Sequence, residues 1–230
     1  MKRLTFLLSL TCVSVFSARA EPASLFDGQS LKNWKSPDMT YWSVKDGAIT
    51  AQSSEEHPCT HNQFIVWQGG EIANFELNLK FRIEGGPQAN SGVQIRSQVE
   101  ADGHVVGYQV DIADPEAPYL GAVYDEKGRK MLASRGQRAV ISETGQITAT
   151  PLNADGPEAA MKSYKPGEWT AYRIRFVDNK LQVFLNGIQT AEVIDHDLKD
   201  REMSGVLALQ LHSGPPMTVQ FKDIRLEKLD

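Results

Sequence analysis

Alternation of apolar and polar residues dominates this chain from Trp42 onward. Between Phe75 and Ile83 every second side chain is apolar and those between are polar, which is the period of a strand with one buried face. Short β-branched and aromatic runs of this kind, separated by turn residues, continue to the C-terminus, and helical periodicity is nearly absent. The pattern predicts an all-β sandwich or barrel.

Turn residues mark the strands near the C-terminus. Four strands are predicted there, at residues 171–177, 180–185, 188–193 and 219–226. The second and third are joined by Asn186-Gly187, a strong hairpin signal because a type I′ turn requires positive φ at both central positions. The last strand follows Gly214-Pro215-Pro216, which interrupts regular structure.

Three further predicted strands, at residues 90–97, 108–112 and 207–212, carry polar side chains on one face. The polar pairs are Gln94 with Arg96, Gln109 with Asp111, and Gln210 with His212. A solvated outer face explains any one such pair. Three pairs whose side chains can form bidentate hydrogen bonds, accept hydrogen bonds and exchange protons favour a ligand groove, provided that the strands are neighbours.

Aromatic side chains would complete a sugar site in such a groove. Trp67 and Tyr124 are the candidates for the platform on which a sugar ring stacks. Trp67 fits a place in the core equally well.

The stretch from residue 113 to residue 166 is charged and contains Gly and Pro, with only short apolar runs. A long, poorly patterned insertion in a compact domain is usually a functional loop or lid. A variable surface excursion is the alternative, and the pattern leaves both open.

The N-terminus predicts export. Lys2 and Arg3 precede an apolar run, and Ala18-Arg19-Ala20 then forms an Ala-x-Ala cleavage site before Glu21. This is the pattern of a secretory signal peptide, and its apolar run is shorter than the roughly 20 residues of a membrane-spanning helix. Residues 1–20 are therefore expected to be removed, which leaves residues 21–230 as a single periplasmic or secreted domain without a membrane span.

Charge and cysteine content narrow the partners. Removal of residues 1–20 lowers Lys+Arg from 24 to 21 against 29 Asp+Glu, a net charge near −8. Such a surface repels a phosphate backbone, so nucleic acid is excluded and an uncharged ligand is favoured. Cys59 is then the one remaining cysteine, so no intrachain disulfide forms and stability must come from the core.

Familiar catalytic and metal-binding motifs are missing, among them G-x-S-x-G, a P-loop and H-E-x-x-H. His57 and His61 flank Cys59, but three such ligands without a fourth neighbour are a weak zinc signal. The acids around Asp195 and Asp197 lack the Gly-bearing spacing of a calcium loop. No metal and no cofactor are expected.

Several segments together resemble the bacterial 3-keto-disaccharide hydrolase family. They are LFDGQSLKNWK, NFELNLKFRI, ANSGVQIRS, GYQVDI, GAVYDEKGR, GEWTAYRIRF and GVLALQLHSGPPMTVQFKDIRL, in this order from about Leu25 to Leu226. The resemblance implies a concanavalin A-like jelly-roll sandwich of two antiparallel sheets. It also implies cleavage of glycosides that carry a ketone at C3.

The resemblance marks the same polar pairs that alternation selects, namely Gln94 with Arg96, Gln109 with Asp111, and Gln210 with His212. Many members carry Glu and then Gln where this chain carries Gln109 and Asp111. The carboxylate therefore lies two residues later, on the same face of the strand, and its reach differs.

A ketone at C3 acidifies the hydrogen on C2, so the group at C1 can leave by elimination before water adds. The hypothesis is that Asp111 or His212 removes this proton and that Arg96, helped by Gln94, stabilises the enolate oxygen. The other titratable group, or Glu126 from the long insertion, would protonate the leaving oxygen.

Two other functions share this fold. A retaining glucanase needs two carboxylates about 5.5 Å apart on a Glu-x-Asp-x-Glu type strand, whereas residues 109–114 read QVDIAD. A non-catalytic carbohydrate-binding module shares the groove but needs no titrating pair.

Overall fold

The computed structural model describes residues 21–114, 117–152, 156–165 and 167–230, with residue 157 described by its backbone alone. The predicted signal peptide lies outside the described residues. No helix among those described is long and apolar enough to cross a membrane.

The described residues form seventeen strands, a 3₁₀ turn at Met39–Tyr41 and one helix, α1, at Gly156–Ser163. In chain order the strands are β1 (Ala23–Ser24), β2 (Trp34–Lys35), β3 (Trp42–Lys45), β4 (Ala48–Gln52), β5 (Gln63–Trp67), β6 (Phe75–Glu84), β7 (Asn90–Val99), β8 (Val105–Ala113), β9 (Val123–Glu126), β10 (Lys130–Ala133), β11 (Gln137–Ile141), β12 (Ile147–Pro151), β13 (Thr170–Val177), β14 (Lys180–Leu185), β15 (Ile188–Asp195), β16 (Val206–Leu211) and β17 (Thr218–Lys228).

The strands form two sheets. The larger has the order β12-β11-β15-β14-β13-β6-β17-β4-β3, with β1 paired to β17. The smaller, here called the front sheet, has the order β10-β9-β8-β7-β16-β5-β2. An all-β fold is therefore confirmed.

Local signals predicted the strands well where alternation is clean. In β6 the residues at alternate positions from Phe75 to Ile83 are at most 4 % exposed. Asn186 and Gly187 both have positive φ, at 47° and 83°, as a type I′ hairpin between β14 and β15 requires. The predicted bounds of β14 agree with the observed bounds.

The core lies between the two sheets. Apolar side chains from the inner faces of both sheets form one large buried cluster there. A smaller cluster of Phe64, Val66, Val105 and Ala208 lies apart from it. Because Ile65 belongs to the large cluster, alternation along β5 places Phe64 and Val66 on the outer face of the front sheet.

The stretch from residue 113 to residue 166 is not an unstructured insertion. Its described parts contain β9, β10, β11, β12 and α1. These strands have only four or five residues each, too few to show a clear period in the sequence. β9 and β10 extend the front sheet, so part of this stretch contributes to the outer face.

One strand pair departs from the expected antiparallel arrangement. β11 pairs with β15 in parallel, with Gln137 opposite Ala191 and Ile141 opposite Asp195. The two strands are far apart in the chain, so no tight turn between them requires opposite directions.

Candidate functional site

The outer face of the front sheet carries the predicted polar side chains. β8, β7 and β16 are adjacent strands, as the groove hypothesis required. In register, Gln94 lies opposite Gln109 on β8 and opposite Ala208 on β16, and Gln109 lies opposite Tyr124 on β9. Residues of four neighbouring strands therefore share this face.

A cavity of about 370 Å³ opens on this face, a volume suited to a small ligand. Its lining residues are Asn62, Asn90, Gln109, Asp111, Tyr119, Tyr124, Glu126, Met131 and His212. We call it the first cavity. Five of the nine were candidates from the sequence, namely Gln109, Asp111, Tyr124, Glu126 and His212.

Asp111 is the buried carboxyl of the first cavity, with 6 % of the residue exposed. Burial, which disfavours the charged form, raises its pKa to about 7, and the negative charge of Glu126 acts in the same direction. A hydrogen bond from Gln109 Nε2 to Asp111 Oδ1, at 2.8 Å, opposes the shift. A carboxyl with this pKa can take up or release a proton near neutral pH.

A chain of amides holds Asp111 in place. Gln94 Nε2 donates to Gln109 Oε1 at 2.9 Å, and Gln109 Nε2 donates to Asp111. The Ser97 hydroxyl contacts Gln94 Oε1 at 2.7 Å. Gln94 is fully buried, so it orients Gln109 from below and does not reach the cavity.

The absence of a side chain at Gly92 makes this arrangement possible. A Cβ at this position would lie 2.4 Å from Gln109 Cδ. The Gln109 side chain therefore lies across Gly92, which faces Asp111 on the neighbouring strand. A close approach of this kind is a reason for glycine within a strand.

His212 follows directly after β16, and its ring orientation is set by the backbone. Its Nδ1 lies 2.6 Å from the carbonyl oxygen of Ser213. Because a carbonyl oxygen only accepts, Nδ1 carries a proton, and Nε2 is the nitrogen left for other chemistry. Asn62 Oδ1 accepts from Ser213 N at 2.9 Å, which also orients the Asn62 amide.

Glu126 lies on β9 and has a partner that the sequence did not indicate. His104 Nε2 lies 3.0 Å from Glu126 Oε1, and the two side chains are 16 % and 15 % exposed. His104 packs edge-on against Phe64, with ring centroids 4.9 Å apart. The imidazole and the carboxyl form a pair that can hold a proton between them.

Arg96 does not lie on the outer face, and the prediction that it binds substrate there is wrong. Its φ is +46°, and the register of β7 shifts between Gln94 and Gln98. A β-bulge at this point breaks the alternation. Ile95 and Arg96 are consequently both fully buried, and Ser97 returns to the face of Gln94.

The Arg96 guanidinium instead ties the two sheets together. Nε donates to the carbonyl of Ala73 at 2.7 Å, and Nη1 donates to that of Asp178 at 2.6 Å. Nη2 donates to Asn74 Oδ1 at 3.1 Å. The guanidinium also lies 3.6 Å from the centroid of the Phe176 ring. Its role is structural.

Trp67 and Gln210 also fall outside the first cavity. Trp67 packs against the large core cluster, so the prediction of an aromatic platform there is wrong, and Tyr119 and Tyr124 are the tyrosines beside the ligand space. Gln210 is fully buried, and its amide atoms have no hydrogen-bond partner among the described residues. Its predicted direct contact with a ligand is therefore wrong as well.

The acids near Asp195 form ion pairs. Arg129 donates to Asp125 and to Asp195 at 2.7 Å each, and Asp197 lies 3.5 Å away. In the part of the chain that the structure describes, no group of three or more His, Cys, Asp or Glu side chains has the arrangement of a metal site.

Sequence reasoning missed Asn62, Asn90, His104, Tyr119 and Met131. Asn62, His104 and Tyr119 lie outside the strands, where alternation assigns no face. Asn90 is the first residue of β7, two positions before Gly92 and four before Gln94, so the same alternation that selected Gln94 would have found it.

Residues 21–227 match the 3-keto-alpha-glucoside-1,2-lyase-like domain family. No curated protein matches the chain.

Three solved structures show what fold this chain shares. A proposed glycosyl hydrolase from Parabacteroides distasonis ATCC 8503 has a TM-score of 0.61 at 22% identity, covering 91% of this chain and 100% of that one. A Bacillus subtilis protein with a galectin-like fold has 0.61 at 10%, covering 92% and 96%. The carbohydrate-binding module CBM66 from Bacillus subtilis has 0.54 at 12%, covering 85% and 96%. The predicted jelly-roll fold is confirmed.

Proposed function

The chain belongs to the 3-keto-alpha-glucoside-1,2-lyase-like family, and on this premise we propose that it cleaves glycosides of 3-keto sugars in the first cavity. The observation that carries the proposal is Asp111, a buried carboxyl with a pKa of about 7 in a cavity of about 370 Å³. Export, expected from residues 1–20, is part of the proposal.

The first step is removal of the proton on C2. The ketone at C3 acidifies this C–H bond, and the ionised Asp111 carboxylate takes the proton while the electron pair moves to the C3 oxygen as an enolate. Gln109 holds Oδ1 through its hydrogen bond at 2.8 Å, which leaves Oδ2 for the substrate. His212 Nε2 is the second candidate base.

The enolate needs hydrogen-bond donors, and Arg96 is too far inside the core to serve. The amides of Asn62 and Asn90 line the first cavity and take this role in the proposal. Because Asn62 Oδ1 is occupied by Ser213 N, its Nδ2 group is the part available to a ligand. Fixed donors of this kind stabilise charge that develops in the transition state.

The second step expels the leaving group. The enolate collapses, the C3 carbonyl reforms, a double bond forms between C1 and C2, and the bond from C1 to the leaving oxygen breaks. The pair of Glu126 and His104, 3.0 Å apart, supplies the proton that this oxygen takes. Addition of water to C1 and return of a proton to C2 would then give the hydrolysed 3-keto sugar.

The test uses nitrophenyl 3-keto-glucoside beside its unoxidised parent, with release of nitrophenol as the readout. Release from the keto sugar alone is expected, and Asp111→Asn should lower kcat/KM by roughly a hundredfold or more. Asp223→Asn is the matched control, because Asp223 is exposed and pairs only with Lys80, at 3.0 Å, among the described residues. Release from the unoxidised glucoside at a similar rate would contradict the proposal.

Deuterated water separates elimination from direct hydrolysis. Elimination followed by addition of water places deuterium on C2 of the 3-keto product, whereas direct displacement at C1 leaves the C2 proton in place. Mass spectrometry or proton NMR of the first product formed reports the difference before slow exchange of the free ketone.

A carbohydrate-binding module is the second candidate, because the cavity has amide and tyrosine side chains that bind sugars without chemistry. In that case calorimetry would show binding of unoxidised oligosaccharides, and no keto-glycoside would be cleaved.

A further inference from the structure

A second cavity of about 280 Å³ adjoins the first. The residues that define its chemistry are Asp38, Tyr41, His61, Phe64, Asp102 and His104, and Asn62 lines it too. One wall comes from the segment around the 3₁₀ turn and the other from the turn before β8. The walls meet closely, since a Cβ on Gly103 would lie 2.1 Å from Pro37 Cγ.

The two cavities share parts of their walls. Asn62 lines both of them. Glu126 lines the first and His104 lines the second, and these two side chains contact each other at 3.0 Å. The pair proposed to protonate the leaving oxygen therefore lies at the boundary between the two cavities.

The charge of the combined space is one-sided. No Lys or Arg is among the described residues that line either cavity, whereas Asp111, Glu126, Asp38 and Asp102 are. Asp38 accepts hydrogen bonds from the side chain and backbone of Thr40, which lower its pKa. A backbone hydrogen bond from His104 lowers the pKa of Asp102, so both carboxylates are ionised at neutral pH.

The lysine that acts on Asp102 already has a carboxylate partner outside the cavity. Lys127 acts electrostatically on Asp102, but its ammonium group lies 2.6 Å from a carboxylate oxygen of Glu100. A ligand in the second cavity consequently meets aromatic surface, the amides of Asn62 and Gln63, and the carboxylates of Asp38 and Asp102. Repulsion by these carboxylates destabilises an anion that binds there.

We propose that the second cavity receives the leaving group of the substrate and accepts a neutral or amine-bearing sugar while rejecting one that carries a carboxylate or phosphate. This inference rests on the proposed function, because it assumes that the bond to be broken lies beside Glu126 and His104. It adds a selectivity that follows from the residues of this chain.

The experiment compares three 3-keto-glucosides with the same linkage, whose leaving residues are glucose, glucosamine and glucuronate. We expect kcat/KM for the glucuronate compound to be lower than for the glucose compound by roughly tenfold or more in dilute buffer. This difference in kcat/KM between the glucose and glucuronate compounds should shrink at 0.5 M salt, because charges then interact over only a few ångströms. Equal values for all three compounds would overturn the proposal.

Charge removal identifies the cavity responsible. The double variant Asp38→Asn with Asp102→Asn keeps oxygen acceptors for Thr40 N and His104 N. It should reduce the ratio of kcat/KM between the glucose and glucuronate compounds by roughly tenfold. The matched control is Glu158→Gln with Glu168→Gln, two acids whose side chains are 82% and 65% exposed and outside both cavities. An equal narrowing in both doubles would contradict the assignment.

Binding separates this inference from the proposed function. If no keto-glycoside is cleaved, the proposed function fails, and saturation-transfer NMR with methyl glucoside, methyl glucosaminide and methyl glucuronide still tests the cavity. We expect weak binding of methyl glucoside and methyl glucosaminide and no binding of methyl glucuronide. His61→Trp, whose larger side chain fills the second cavity, should abolish the binding of the first two. No binding, or binding that His61→Trp leaves unchanged, would refute the site.

Discussion

At the scale of single residues, the chemistry depends on how Asp111 is surrounded. Burial and the charge of Glu126 raise its pKa to about 7, and the hydrogen bond from Gln109 opposes them. Removing this hydrogen bond should therefore raise the pKa further. Gln109 thus lowers the pH at which Asp111 becomes a base.

This balance can be tested with Gln109→Met, which keeps the size of the side chain but cannot donate. If Asp111 is the base, kcat/KM rises with pH through about 7 in the wild type, and the variant should shift this limb upward by about one pH unit. A fall in kcat/KM through the same pH would show that Asp111 acts as the acid. An unchanged limb would mean that Gln109 does not position the base.

At the scale of elements, the bulge in β7 decides what faces the ligand and what ties the sheets together. Gln94 faces outward and supports Gln109, whereas Arg96 turns inward and bonds to carbonyl groups of the segments before β6 and after β13. A single strand thus contributes both to the site and to the core.

Arg96→Met should destabilise the fold because it leaves the carbonyl oxygens of Ala73 and Asp178 without their buried donor. The expected loss is about 3 kcal/mol in the free energy of unfolding, measured by urea denaturation. Arg225→Met, at an exposed position of β17, is the control and should change stability by less than about 0.5 kcal/mol. KM for the keto-glycoside should remain near wild type, in contrast to a residue that binds substrate.

At the scale of the whole molecule, two carboxyls, the buried one of Asp111 and the half-buried one of Glu202, couple folding to pH. Burial raises the pKa of Asp111 to about 7 and that of Glu202 to about 7. Between about pH 4.5 and pH 7 the folded state therefore holds more protons than the unfolded chain. The contribution of these two carboxyls to stability therefore falls as pH rises through this window.

Thermal unfolding should show this as a Tm that is higher at pH 5 than at pH 8. Each carboxyl contributes a slope of up to about 1.4 kcal/mol per pH unit. Asp111→Asn with Glu202→Gln should raise Tm at pH 8 and flatten the dependence. Carboxyls with lowered pKa, such as Asp38 and Asp102, lose their stabilising contribution only at lower pH and do not produce this dependence. An unchanged dependence of Tm on pH in the double variant would contradict the assignment to Asp111 and Glu202.

Local patterns determined much of this protein. Alternation predicted β6 and the face that carries Gln109 and Asp111, and Asn186-Gly187 predicted the hairpin between β14 and β15. These signals succeed because the side-chain period of a strand and the φ angles of a tight turn depend on neighbouring residues alone.

Only the tertiary structure decided which of these residues meet. The bulge turns the Arg96 side chain to the opposite face of the sheet. An alternation of period two in the sequence does not reveal such an extra residue. His104 reaches Glu126 through the pairing of β8 with β9, and Asn62 joins two cavities through the pairing of β5 with the distant strand β16. Such contacts depend on strand order and register across the whole sheet, which no local period encodes.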